Sequence, residues 1–151
     1  MYPFRTVRTL NRLIRTCRSG EAVCAAWSDA AETPGLQALL RERSQEWSRQ
    51  GDELQALVLL FGGRPSRGGS IGGWLLAMWV RVKAAILGRS DLPVVLDWEH
   101  AQRRALRRYQ RSLDDPLPER VRRTLTLQAS RLSAHHHRLE DLRGHFAAHS
   151  H

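Results

Sequence analysis

The feature that most constrains the fold of this chain is a long connection over residues 63–90. On each side of it lie two segments in which apolar residues recur every three or four positions, the spacing of amphipathic helices. Antiparallel helices in a bundle are joined by short links, and this connection is far longer. The sequence therefore predicts two helical pairs joined by a crossover.

The helical segments are predicted at about residues 5–30, 34–62, 92–114 and 118–146. Thr33 and Asp91 are expected to cap the second and third segments, and a glycine pair at 62–63 to end the second. The connectivity is that of a ferritin-like bundle. We therefore predict one all-α, four-helix domain over residues 1–151, in up-down-crossover-up-down order, with the second pair starting at the end where the first pair began. The tail at 144–151 is expected to fray.

Within the connection, residues 71–87 form a broad apolar face that includes Trp74 and Trp79, which predicts a short extra helix. A membrane span needs about 20 apolar residues, whereas Arg81 and Lys83 interrupt this run early. No membrane span is therefore predicted. We expect the helix to cover the bundle or to pack on a second copy in a homo-oligomer, and its tryptophans and flanking cations leave attachment to a bilayer surface open.

The two cysteines, Cys17 and Cys24, lie two helical turns apart, about 10 Å, and cannot form a disulfide with each other. They indicate small buried side chains in a reducing compartment. The N-terminal region has arginines every few residues and no apolar core, so no signal peptide is predicted. A cytoplasmic location is the expectation.

The formal net charge of +9 rests almost entirely on arginine, because Lys83 is the only lysine. Arginine binds phosphates and carboxylates in bidentate geometry, so anionic partners such as nucleic acid or acidic lipid are indicated. Arg103, Arg107 and Arg111 step along one strip of the third segment and are the candidate anion-binding residues. The alternative is a solvated helix face that binds nothing.

Each helical segment also has polar residues on its predicted inner face, near mid-length. We expect them to form a hydrogen-bonded interior belt that fixes the register of the helices. Its predicted members are Glu21, Glu46, Gln50, Glu53, Glu99, Gln102, Gln128 and His136.

The alternative interpretation of these residues is a degenerate metal site of the di-iron type. Glu21, Glu53, Glu99 and His136 are the candidate ligands for iron or another divalent metal. A complete site of this kind also needs two Glu-x-x-His motifs, and the predicted inner faces supply neither. No complete catalytic motif is present, so we expect no cofactor and favour a non-catalytic protein, with enzymatic activity left open.

Four stretches resemble an uncharacterised bacterial family of ferritin-like four-helix-bundle proteins, often called a domain of unknown function: LNRLIRTCRSGE, DELQALVLLFGGRP, EHAQRRALRRYQRSL and HHRLEDLR. The resemblance covers nearly the whole chain and implies the same bundle fold. It also implies distant kinship with stress-induced proteins, which makes a stress-associated role, through self-association or a partner, the expectation. Where that family has an acidic residue in the third helix, this chain has Gln102, which removes a potential metal ligand.

Overall fold

The computed structural model describes residues 2–66 and 91–148. Within these ranges the chain forms four helices and no strand: α1 (Tyr2–Ala30), α2 (Pro34–Leu60), α3 (Leu92–Leu113) and α4 (Glu119–Ala148). The prediction of an all-α four-helix bundle is confirmed, and each helix begins and ends within a few residues of its predicted bounds. The short helix expected at 71–87 lies outside the described residues.

Each helical pair is antiparallel. At the turn between α1 and α2, the hydroxyl of Ser28 donates to the backbone oxygen of Gln37 at 2.9 Å. At the other end of this pair, the side chain of Asn11 donates to the backbone oxygen of Arg64 at 3.0 Å. In the second pair, Arg122 near the start of α4 donates to the backbone oxygens of Leu113, the last residue of α3, and of Asp115 in the turn that follows. Short links therefore pair the helices as the sequence predicts.

The third helix begins beside the turn that joins the first two. The carboxylate of Asp91, at the N-cap position of α3, accepts hydrogen bonds from the backbone N–H groups of Glu32 (2.9 Å) and Thr33 (2.8 Å). The predicted order is corrected in this respect: the second pair starts at the end opposite to the one where the first pair began. The helices run up, down, down and up, and α3 is parallel to α2.

This direction explains why the connection must be long. The backbone N–H of Ser66 donates to Asn11 at 2.8 Å, which places Ser66 beside the first half of α1, far from the turn that Asp91 contacts. A helix of 27 residues such as α2 is about 40 Å long. No tight turn could join α2 to a parallel α3 over that distance.

Local chemistry sets the helix ends. Pro34 occupies the first turn of α2, after Thr33 in extended conformation, as the sequence predicts, although the Thr33 side chain makes no capping hydrogen bond. Gly62 adopts a left-handed φ of 76°, and the N–H groups of Gly62 and Gly63 donate to the carbonyls of Leu59 and Val58. These two bonds satisfy carbonyls that the helix end would otherwise leave open.

Apolar side chains from all four helices fill the core. The largest wholly buried ones include Leu10, Leu13, Ile14, Leu40, Leu54, Val95, Tyr109, Val121, Leu125 and Leu139. Burying each leucine contributes about 1.5–3 kcal/mol of transfer free energy. Helix α4 continues to Ala148, and fraying of the tail at 144–151 stays a prediction. Ala147 and Ala148 favour this extension because alanine has the highest helix propensity.

Candidate functional site

The predicted polar belt divides into buried and peripheral residues. Gln50, Glu99, Gln102 and Gln128 are buried, as predicted. The other four are corrected, because each lies at the edge of a helix contact with its side chain partly exposed: Glu21 (37%), Glu46 (29%), Glu53 (48%) and His136 (16%). A carboxylate at such an edge can meet an arginine and still contact water, which avoids the cost of burying charge.

The centre of the bundle holds a chain of hydrogen bonds through Tyr109. Its hydroxyl donates to Gln128 Oε1 at 2.7 Å, and Cys17 Sγ lies 3.3 Å from the same hydroxyl. Because the single hydroxyl proton goes to Gln128, the thiol must donate to the tyrosine oxygen. Burial raises the pKa of Cys17 to about 12, so the thiol keeps the proton that it donates. Gln128 Nε2 in turn donates to Gln50 O (3.4 Å) and Glu53 Oε2 (3.3 Å).

Glu99 is buried inside the bundle, and two guanidinium groups surround its carboxylate. Its Oε1 accepts from Arg103 of the same helix at 2.9 Å and from Arg143 of α4 at 2.8 Å. Its Oε2 accepts a second bond from Arg143 at 3.1 Å. These contacts tie the beginning of α3 to the end of α4 and neutralise the carboxylate.

A smaller polar cluster joins α2 to α4. Arg43 donates to Glu46, and His135 Nε2 lies 2.7 Å from Arg43 Nη1 and 3.0 Å from Glu46 Oε2. Burial and then the charge of Arg43 lower the pKa of His135, so this imidazole is neutral at pH 7 and accepts from the arginine. His136 instead faces Glu140 of its own helix at 3.1 Å.

The four candidate metal ligands are not brought together. Glu21 pairs with Arg18, Glu53 lies near Gln128 and Arg131, Glu99 is held by two arginines, and His136 faces Glu140. Across residues 2–66 and 91–148, no three His, Cys, Asp or Glu side chains converge on a point where a metal ion would fit. The partners of these residues are mostly cations, which repel a divalent metal.

The most distinctive surface of the described chain is a groove between α1 and the antiparallel α3. Three adjoining cavities of about 220, 550 and 260 Å³ follow one another along it. The first two share Arg12 and Asp115, and the last two share Thr16, Ser19 and Arg108. We call this surface the arginine groove, after the seven arginines that line it: Arg5, Arg8, Arg12 and Arg15 from α1, and Arg104, Arg108 and Arg111 from α3.

Little negative charge offsets these arginines. Asp115 is the one acidic residue that lines the groove, and its carboxylate already accepts from Thr9 (2.9 Å) and lies 3.5 Å from Arg12. Arg108 donates to the hydroxyl of Thr16 at 3.3 Å, an uncharged partner. Within the described residues, Arg15 and Arg111 are exposed and form no ion pair. The groove therefore combines a concave shape with a large excess of positive charge.

The predicted anion-binding strip overlaps this groove at a single residue. Arg111 lines the groove, whereas Arg103 is engaged with Glu99 and Arg107 is exposed outside the cavities. The row that does face α1 is the neighbouring one, Arg104 and Arg108. The α1 row was missed, although its spacing of three, four and three residues places those arginines on one helix face.

A family model described as a domain of unknown function (DUF2383) matches residues 5–115. The chain belongs to this family. The resemblance to an uncharacterised family is thereby confirmed. Among curated proteins, none has a sequence that matches this chain significantly.

The DUF2383 match contains all seven arginines of the groove and ends at Asp115, the acidic residue that closes one side of it. It also contains Cys17, Gln50 and Tyr109 of the central hydrogen-bond chain. Their partner Gln128 belongs to α4, outside the DUF2383 match. All seven arginines of the groove thus lie within the matched residues. The central hydrogen bonds also need Gln128, which lies outside them.

None of the helices in residues 2–66 and 91–148 is long and apolar enough to cross a bilayer.

Proposed function

We propose that this protein is a non-catalytic helical bundle that binds a linear, phosphate-bearing polyanion in the arginine groove. The observation that carries the proposal is the pair of arginine rows that face each other across the groove, with Asp115 as their single acidic neighbour. Arginine favours phosphate because its planar guanidinium donates two hydrogen bonds to one group. A bundle of this kind holds the strand chiefly through contacts between its arginines and the phosphates, which position a nucleic acid and carry no sequence information.

The shape of the groove favours a thin strand over a flat surface. Its arginines lie between two helices, and the α1 row from Arg5 to Arg15 extends for about 15 Å at the helical rise. All seven arginines are exposed and flank a concave surface, which a thin strand can follow more closely than a flat bilayer can. A single strand of nucleic acid or a polyphosphate chain can enter the groove and meet both rows.

Repulsion within the free protein also supports the proposal. Arg104 and Arg108, and Arg8 and Arg12, are i, i+4 pairs of like charge, each unfavourable by about 0.2–0.5 kcal/mol. Asp115 offsets this repulsion at one place only. A bound polyanion would relieve it, so the bound protein should unfold at a higher temperature than the free one.

The test measures the affinity of the whole chain for a fluorescently labelled oligothymidylate at low and near-physiological salt. The variant Arg15→Gln/Arg108→Gln/Arg111→Gln removes three charges from the largest cavity of the groove. We expect its affinity at low salt to fall at least tenfold. The slope of log K against log salt should become shallower by about 2, since each lost phosphate contact contributes about 0.7 for a single strand.

A matched control removes the same charge elsewhere: Arg41→Gln/Arg49→Gln/Arg107→Gln changes three exposed arginines outside the groove cavities. If general charge attracts the strand, both triple variants will lose affinity equally, and the proposal is wrong. Binding to anionic vesicles with none to the oligonucleotide would contradict it as well. Circular dichroism of each variant confirms that the fold is retained.

The kinship with ferritin-like bundles is part of the same proposal. Its support is the parallel arrangement of α2 and α3, which requires one long connection of the kind found in those bundles. A stress-associated role and a cytoplasmic location stay predictions from the sequence.

A further inference from the structure

The groove cavity that is lined by Arg104 and Arg108 differs from the other two because tryptophans line it. Its volume is about 260 Å³, and three tryptophans from three helices contribute to its walls: Trp27 of α1, Trp47 of α2 and Trp98 of α3. Arg104 and Arg108 also line it, and Arg108 is shared with the largest cavity of the groove. We call it the tryptophan pocket. A chamber with tryptophans in its walls thus opens into a strongly basic channel.

Small residues keep this chamber open. Ala101 and Ala105 line it from α3, and Ser19 and Gly20 line it from α1. A Cβ atom on Gly20 would lie 2.7 Å from the ring of Trp47, which is too close. Glycine at this position therefore lets the indole of Trp47 pack against α1 beside the pocket. Between α1 and α3, tryptophans therefore form part of the pocket wall, and small side chains leave the space beside them open.

Two polar groups in the walls lack partners inside the described structure. The carboxamide oxygen of Gln102 and the indole N–H of Trp27 are buried and form no hydrogen bond there. Gln102 is 5% exposed and Trp27 is 2% exposed, so both are nine-tenths buried or more. A buried polar atom without a partner costs about 1–3 kcal/mol. A ligand that carries both a donor and an acceptor on its edge would satisfy them once the side chains around these two atoms move aside.

We propose that the tryptophan pocket binds the base of a nucleotide, whose phosphate lies on Arg104 and Arg108 at the start of the arginine groove. A planar heterocycle has the apolar faces that tryptophans prefer and the edge donors and acceptors that Gln102 and Trp27 lack. The volume of about 260 Å³ is enough to hold one ring system. The proposal rests on the proposed function, because the same arginines hold the phosphate, and it names the ligand as a free nucleotide or a nucleotide within a single strand.

The test compares probes that differ only in the base. Adenosine monophosphate is compared with ribose 5-phosphate, and an oligonucleotide with an abasic strand of the same length, each titrated into the whole chain by calorimetry. We expect the base to raise affinity about tenfold or more in at least one pair, the size of a typical base–aromatic contact. The pair that shows the gain identifies the source of the nucleotide.

Two variants separate the pocket from the groove. Ala101→Leu fills the pocket at a half-buried position, and Gln102→Leu removes the carboxamide at similar volume. Each should abolish the gain from the base and leave affinity for inorganic tripolyphosphate unchanged. If one of them fails to fold, the other still gives the answer.

The outcomes distinguish the two proposals. If base-bearing and base-free probes bind equally well, the pocket proposal is overturned and the arginine groove stands. If tripolyphosphate and the abasic strand both fail to bind, the proposed function falls with it. A gain from the base that survives both variants would show that the base binds elsewhere, which also overturns this inference.

Discussion

At the scale of single residues, Tyr109 is the centre of the buried hydrogen bonds, because its hydroxyl contacts both Cys17 and Gln128. Its hydroxyl is wholly buried between Cys17 and Gln128, and burial raises its pKa well above the usual value. We expect Tyr109→Phe to lower the free energy of unfolding by about 1–3 kcal/mol, because Gln128 is left as a buried acceptor without a donor. Urea denaturation at pH 7 measures the change.

The double variant Tyr109→Phe/Gln128→Leu provides the control for this prediction. Replacing both partners with apolar groups of similar shape removes the unsatisfied acceptor, so the double variant should be more stable than the sum of the single changes predicts. Strict additivity of the two single changes would contradict the role assigned to this bond.

At the scale of the helices, Asp91 links two elements that are distant in the sequence. Its carboxylate holds the turn between α1 and α2 against the start of α3. Burial alone would raise the pKa of Asp91, but the bonds from Thr33 and Glu32 outweigh it and the pKa is lowered. The stabilisation is therefore fully present above the ordinary aspartate range and is lost as the pH falls through the folded-state pKa.

Asp91→Asn tests this link. It keeps one acceptor oxygen and loses the charge, so we expect the free energy of unfolding at pH 7 to fall by about 1–3 kcal/mol. The gap between the variant and the natural chain should begin to narrow as the pH falls below about 4, and it should narrow further as the pH falls through the lowered folded-state pKa, because the natural carboxylate is then protonated too. A gap that stays constant between pH 7 and pH 3 would contradict the assignment. Asp114→Asn, at an exposed position, is the matched control.

At the scale of the whole molecule, the core extends beyond the part of the chain that the family match covers. The match ends at Asp115, before α4 begins. Yet α4 supplies Val121, Leu125 and Leu139, which are at most 2% exposed, as well as the acceptor for Tyr109. Removing this helix would expose one side of the core along its whole length.

We therefore expect a chain that ends at residue 115 to lose cooperative unfolding, to keep part of its helical signal and to bind a hydrophobic dye. A chain that ends at residue 148 should unfold like the natural one. Cooperative thermal unfolding of the shorter chain, followed by circular dichroism, would show that α4 is dispensable. Self-association through residues 71–87 stays a prediction of the sequence, and light scattering over a range of concentrations tests it.

The sequence by itself determined the local structure. Apolar spacing placed the helices, Pro34 marked the start of α2, and Gly62 marked its end because the left-handed conformation there is open to glycine at little cost. It also identified the buried glutamines Gln50 and Gln128, since their positions follow from the same helical period. These features depend on residues that are neighbours in the chain.

Tertiary packing decided what each helix face meets. The period of a helix shows which residues share a face. Whether Glu21 lies in the core or at its edge depends on the angle and position at which the neighbouring helix packs against α1. In the same way, the sequence shows that the arginines of α1 form a row. It does not show that this row lies across a cavity from Arg108 and Arg111. That arrangement depends on the direction of α3, whose start lies beside the turn before α2, where Asp91 contacts Thr33 across 58 residues of chain. Contacts of such separation have no local signal, so the arginine groove could be found only in the folded chain.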